Sequence, residues 1–152
     1  MIKPILTISG LLVLSGLFWA CGKSGEEAVK EAENGVFAIH DEVMPLIDDV
    51  MKTRKQLKAR IAVLDSTQAA GSPSTTLRID EERDQARQIV QKLTLADSLM
   101  MNWMSQYNND TLAKLPSEDA LRYLEQQKDQ ITDVKSKINN SLKEANQFLQ
   151  KP

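Results

Sequence analysis

A repeat of apolar residues that keeps its phase from Val36 to Leu64 constrains this chain more than any other feature. Successive members are separated by four and then three residues, in alternation, and this spacing places them along one face of an α-helix. The pattern predicts a long amphipathic helix over residues 26–66, in which two polar residues interrupt the apolar face. The members are Val36, His40, Val43, Ile47, Val50, Arg54, Leu57, Ile61 and Leu64.

Two further segments, residues 78–107 and 117–150, show the same helical spacing of apolar residues. The stretches between the three segments, Thr67–Thr76 and Asn108–Pro116, are rich in Gly, Pro, Asn and Ser, which favour turns. No run of alternating polar and apolar residues predicts a strand. We therefore expect an all-α fold, an antiparallel up-down-up three-helix bundle over residues 26–152.

Several single residues predict local details of these helices. Ser24 and Glu27 have the spacing of a capping box at the start of the first helix, and Ser117 is placed to cap the third. Pro45 lacks an N–H and its ring crowds the carbonyl of Asp41, so we expect a bend in a continuous helix.

The N-terminal segment has the features of a secretory signal. Lys3 supplies a basic start, a nearly uninterrupted apolar run covers residues 5–20, and the chain turns polar directly after Cys21. The run is shorter than the roughly 20 apolar residues that span a bilayer comfortably. A cleaved signal peptide over residues 1–20 is therefore the leading interpretation, and a permanent anchor helix is the alternative.

Cys21 is the only cysteine and follows the small residue Ala20 at the end of the apolar run. This stretch resembles the lipobox of bacterial lipoproteins, in particular the relaxed form of Bacteroidetes-type lipoproteins, in which residues as large as Phe18 and Trp19 are tolerated. The resemblance implies that Cys21 carries a covalent lipid, including an acyl chain such as palmitate. Residues 21–25 would then form a lipidated N-terminus and a short tether, held on a bilayer by several acyl chains without a spanning helix.

The composition argues against two broad classes of function. The formal net charge is −2, without the basic stripe that nucleic-acid binding requires. The sequence has one His and no Cys besides Cys21, and it shows no motif of a hydrolytic triad, a common zinc site or a glycine-rich phosphate loop. We therefore expect a non-enzymatic protein, although acid–base chemistry by carboxylates alone stays open.

One group of residues could bind a soft metal ion. Antiparallel pairing of the first two helices places His40 opposite Met104 and Met44 opposite Met100, with Trp103 beside them. One imidazole with several thioethers is a ligand set for Cu(I) or Ag(I), and a tryptophan face can stabilise a cation. The alternative is ordinary core packing, because methionines readily fill irregular space beside a bent helix.

Three strings of sequence resemble a family of small Bacteroidetes lipoproteins that are commonly labelled "viral A-type inclusion protein". The strings are residues 40–45, residues 100–104, and the third-helix pattern from Tyr123 to Leu149. The resemblance implies a lipoprotein with a helical bundle and implies no activity. Together these features predict an envelope lipoprotein that binds a protein partner. Since Gly22 stands where some lipoproteins carry an inner-membrane aspartate, we expect the outer membrane.

Overall fold

The computed structural model describes residues 24–68 and 73–151, and all regular structure in this part of the chain is helical. The all-α prediction is therefore confirmed. The predicted signal peptide, Cys21 and most of the predicted tether lie outside the described residues. Within the described ranges, no helix is long and apolar enough to cross a membrane.

The first helix, α1, extends over Gly25–Gln68 and is slightly longer than the predicted range of 26–66. The capping role predicted for Ser24 is confirmed, because the backbone N–H of Glu27 donates a hydrogen bond to Ser24 Oγ over 3.3 Å. The helix continues through Pro45, whose side chain is exposed. The prediction of one continuous helix, rather than two, is confirmed.

The second helix, α2, covers Pro73–Gln106, so the predicted start at Arg78 is wrong by more than one helical turn. Proline is well suited to the first helical position, where its missing N–H removes no intrahelical hydrogen bond and its fixed φ is already helical. In the sequence, Gly71 and Ser72 directly precede Pro73. The predicted break at Thr67–Thr76 is therefore much shorter than the composition indicated.

The second break contains a helix that the sequence analysis missed. This short helix, α3, is Asn109–Leu112, and the side chain of Asn108 caps it by accepting a 2.9 Å hydrogen bond from the backbone N–H of Thr111. Leu112 is buried and anchors the turn to the core. The described chain therefore has four helices, of which three are long.

The last helix, α4, covers Ser117–Leu149, close to the predicted 117–150. The predicted capping role of Ser117 is wrong, because Pro116 is the N-cap and its carbonyl accepts a 2.9 Å hydrogen bond from the N–H of Ala120. Ser117 lies instead within the first helical turn, next to Gly25 of α1. This contact joins the start of α4 to the start of α1.

The three long helices pack against one another in every pairwise combination and share one apolar core. The heptad positions of α1 that were predicted to be apolar are buried, apart from Ile61, which is half-buried. Ion pairs connect neighbouring helices at the surface, for example Arg60–Glu82 at 2.6 Å between α1 and α2. The largest fully buried side chains are Leu57, Ile89, Leu93, Met100, Leu124, Ile131, Ile138, Val36, Val43 and Val50.

Candidate functional site

The structure brings together part of the predicted soft-metal set. The His40 ring on α1 lies 5.8 Å from the Trp103 ring on α2, measured between centroids. Met100 and Trp103 are buried, whereas Met44 and Met104 are half-buried against the same core. The imidazole therefore contacts the indole, and the thioethers take part in core packing.

The exposed carboxylate of Asp41 lies beside the His40 imidazole. Nδ1 of the imidazole lies 2.9 Å from Asp41 Oδ1, and a carboxylate can only accept a hydrogen bond from this nitrogen. In the neutral form of this imidazole, the proton is therefore assigned to Nδ1, and the lone pair of Nε2 is available to another partner. Ligating histidines in metalloproteins commonly have such a carboxylate neighbour. In residues 24–68 and 73–151, no group of three or more His, Cys, Asp or Glu side chains could hold a metal ion.

Five rings at this end of the bundle form a connected group, which we call the aromatic cluster: Phe37, His40, Trp103, Tyr107 and Tyr123. Tyr107 lies at its centre, with centroid distances of 5.2 Å to Phe37, 5.4 Å to Trp103 and 6.0 Å to Tyr123. Tilted and edge-to-face ring pairs at such distances are favourable. The cluster joins α1, the end of α2 and α4.

The two tyrosine hydroxyls in the cluster have different hydrogen-bond partners. Tyr107 donates to Glu33 Oε1 over 3.2 Å, and Tyr123 Oη accepts from the backbone N–H of Asn108 over 3.0 Å. Burial raises the pKa of Tyr107 above its ordinary value of 10.0, and the charge of Glu33 and the hydrogen bond to it raise this pKa further. Tyr107 is therefore a neutral hydrogen-bond donor under ordinary conditions.

Two buried polar atoms in the described residues lack a hydrogen-bond partner at this level of the core. They are the indole Nε1 of Trp103, a residue that is 4% exposed, and Oε1 of Gln127, a residue that is 8% exposed. Leaving such a group without a partner costs about 1–3 kcal/mol. In coiled coils, a polar residue at a core position can select one helix register at a cost in stability, and Gln127 occupies such a position.

Arg54 and Asp97 interrupt the apolar faces of α1 and α2, and the structure pairs them. Arg54 Nη1 donates to Asp97 Oδ2 over 3.2 Å, and each side chain is roughly three-quarters buried. Both residues were predicted from the sequence to interrupt the apolar stripes and to fix helix register rather than to perform chemistry. Their contact fixes the register of α1 against α2, which is the usual role of polar residues in a helical seam.

A surface groove between α2 and α4, which we call the α2/α4 groove, was not predicted. Its volume is about 340 Å³, and the small buried residues Ala96 and Ser141 lie at its base. Leu95 stands beside this base with 56% of its surface exposed. The other lining residues are polar: Lys92, Lys137, Asn140 and Glu144. The groove thus combines one exposed apolar side chain, Leu95, with a shallow base of small residues, and polar side chains surround both.

Cys21, the predicted lipidation residue, lies outside the described residues, and the described chain begins three positions later at Ser24. No protein-family model, curated protein or solved structure matches this chain. The geometry of the bundle and the sequence of its N-terminal segment are therefore the basis for any assignment of function.

Proposed function

We propose that this chain is an envelope lipoprotein, anchored through lipidated Cys21, whose helical bundle acts without catalysis by binding a protein partner. Two observations support the anchor. Cys21 directly follows the apolar run and Ala20, and the helix α1 begins at Gly25, so that only a short tether separates lipid from folded domain. The resemblance to small Bacteroidetes lipoproteins, and the absence of aspartate at Gly22, favour the outer membrane.

We further propose that the bundle has up-down-up topology. The start of α1 at Gly25 contacts the start of α4 at Ser117, and farther along both helices Glu42 of α1 pairs with Lys135 of α4. These two contacts favour a parallel arrangement of α1 and α4. The contacts between α1 and α2 favour an antiparallel arrangement of these two helices. His40 contacts Trp103, whereas Arg60, farther along α1, pairs with Glu82, which lies earlier in α2. In this topology, the lipidated end would carry the aromatic cluster.

The α2/α4 groove is the observation that carries the proposal of partner binding. Leu95 keeps more than half of its surface in water although it adjoins buried Ala96. An apolar centre enclosed by a polar rim is the usual anatomy of a protein interface. A helix presenting apolar residues at successive turns is the kind of segment that such a groove accommodates.

The anchor is tested by labelling cells with radioactive palmitate. We expect the wild type to be labelled and the Cys21→Ser variant to remain an unlabelled precursor. Ser24→Ala is the matched control, since it changes a nearby polar residue and keeps Cys21. Equal labelling of wild type and Cys21→Ser would contradict lipidation at this residue.

Partner binding is tested by a photoreactive amino acid placed at Leu95 in the intact envelope. We expect a discrete cross-linked protein product from this position. The matched control is the same amino acid at Leu77, which is 67% exposed, also on α2, and outside the groove. The same products from both positions, or no product from Leu95, would contradict a binding role for the groove.

A second candidate function is soft-metal binding by His40, Met44, Met100 and Met104, with Trp103 stabilising the bound cation. The contact between His40 and Trp103, together with the Asp41 carboxylate on Nδ1, favours it. We expect this function to give tight, stoichiometric Cu(I) binding under reducing conditions. Combined Met100→Leu and Met104→Leu substitutions should abolish it, whereas Met51→Leu, at an exposed methionine, should not. Absence of binding by the wild type would contradict this alternative.

A further inference from the structure

We infer that the α2/α4 groove is the contact surface between two copies of this chain standing side by side in one membrane. This inference rests on the proposed anchor and names the partner of the proposed binding surface as a second identical chain. Three features of the groove support this partner: the placement of a large residue beside a small one, the charges on the rim, and the direction of the helices relative to the anchor.

The first feature is the neighbouring position of Leu95 and Ala96. In a two-fold symmetric contact the same patch serves both copies, so it must contain both a protruding side chain and a recess to receive one. Successive residues of a helix point roughly 100° apart and differ in height by about 1.5 Å. Exposed Leu95 therefore lies beside, and level with, the recess above Ala96 and Ser141. Each copy can place its leucine in the recess of the other.

The second feature is the mixed charge of the rim. Lys92 and Lys137 lie on the rim together with Glu144, and Lys92 Nζ is 2.7 Å from Glu144 Oε2 within one copy. A rim of a single sign would repel an identical rim. Because this rim carries both signs, a copy rotated by 180° can set its glutamate near a lysine of the first. Opposite charges can thus meet across the contact, although each rim has one more lysine than glutamate.

The third feature is the direction of the groove. It follows α2 and α4 lengthwise, so a two-fold axis parallel to these helices leaves both copies pointing the same way. Both lipidated N-termini then reach the same membrane surface. Anchoring in one leaflet also raises the effective concentration of the second copy, so a modest contact area is sufficient.

The experiment uses the full chain in the membranes of cells that process it, with a thiol-reactive cross-linker. Asn140→Cys places a thiol on the groove rim, and Asn139→Cys is the matched control, because this neighbouring exposed asparagine does not line the groove. The wild-type protein gives the background level of cross-linking, because its only cysteine, Cys21, has no free thiol once it is lipidated. We expect Asn140→Cys to give a cross-linked dimer and Asn139→Cys to give none.

A second substitution tests the leucine itself. Leu95→Glu added to Asn140→Cys should abolish the dimer, whereas Leu77→Glu in the same background should preserve it. Equal dimer from Asn139→Cys and Asn140→Cys, or a dimer unaffected by Leu95→Glu, would overturn the inference. A cross-linked product of a different mass would also overturn it, in favour of a different protein partner. Palmitate labelling of a protein that gives no cross-linked dimer would support the lipid anchor and contradict the contact between two copies.

Discussion

Tyr107 lies directly after α2, at the centre of the aromatic cluster, and its hydroxyl donates a hydrogen bond to Glu33 of α1. A hydrogen bond of this kind contributes about 1 kcal/mol, and more where the acceptor is charged. Burial first, and then the charge of Glu33 and this hydrogen bond, raise the pKa of Tyr107 and make its ionisation unfavourable in the folded protein. The stability provided by this residue therefore depends on pH.

We expect Tyr107→Phe to lower the free energy of unfolding by about 1 kcal/mol at neutral pH. The folded state holds the proton more tightly than the unfolded state, so this contribution is complete below the ordinary pKa of 10.0 and is lost as the pH rises above it. Urea unfolding at pH 7 and pH 11 measures both values. The difference between wild type and variant should shrink at pH 11, and a constant difference would contradict the predicted linkage.

The burial of core residues could be predicted where they follow the heptad spacing. It could not be predicted where contacts depend on the geometry of aromatic rings. The buried valines and leucines of α1 follow from spacing alone, as do Ile131, Ile138 and Phe148 of α4. Phe37 lies off the predicted seam, and its contact with Tyr107 depends on side-chain length and on the rotation of α2. Gln127 was missed because a polar side chain at a core position gives no hydropathy signal.

At the scale of the helix, the two glycines of α1, Gly25 and Gly35, allow the same substitution to be compared at a crowded and at an open position. Gly35 is inside the helix, and a Cβ added there meets no atom within 4 Å. A Cβ at Gly25 would lie 2.7 Å from Ser117 Oγ and 2.9 Å from Ser117 Cβ, which is too close for real atoms. The same substitution should therefore have opposite effects at the two positions.

We expect Gly35→Ala to stabilise the protein by about 0.5–1 kcal/mol, because alanine restricts the unfolded chain without strain in the helix. Gly25→Ala should destabilise it, because α1 must shift away from α4. Thermal and urea unfolding of the two variants provide the measurement. Stabilisation by both substitutions would show that the contact between Gly25 and Ser117 is not tight.

Pro45 gives a further prediction at this scale. Its ring crowds the carbonyl of Asp41, the residue whose carboxylate also lies beside the His40 imidazole. We predict that Pro45 bends α1 and that this bend lets His40 and Met44 pack against α2, so straightening α1 would open voids, which cost on the order of 24 cal/mol per Å³. We therefore expect Pro45→Ala to lower stability in urea unfolding, although Pro45 itself is exposed. A more stable variant would show that the bend has no packing role.

The ends of the helices were harder to predict than their existence. The long periodic segments were recognised, yet the start of α2 was placed too late, because Ser74 to Thr76 resemble turn residues while Pro73 can begin a helix. Helix α3 was missed since four residues are too few to show a period. Both errors arise where local capping, rather than the apolar face, determines the structure.

At the scale of the whole molecule, we propose that a lipidated N-terminus is joined to a helical bundle with one core. Residues 24–68 and 73–151 supply that core, and its first helix begins four residues after Cys21. With Cys21 lipidated as proposed, so short a segment would hold the bundle close to the membrane, and copies in one leaflet would meet in a restricted orientation. The candidate interface on α2 and α4 depends on this anchor, which makes the state of Cys21 the central claim.

The most direct test of that claim is the intact mass of the full chain extracted from cell membranes, combined with identification of its first residue. The account predicts a protein that begins at Cys21, lacks residues 1–20, and carries the added mass of a diacylglyceryl group and an N-linked acyl chain. A protein that retains residues 1–20, or that begins elsewhere with an unmodified Cys21, would contradict it.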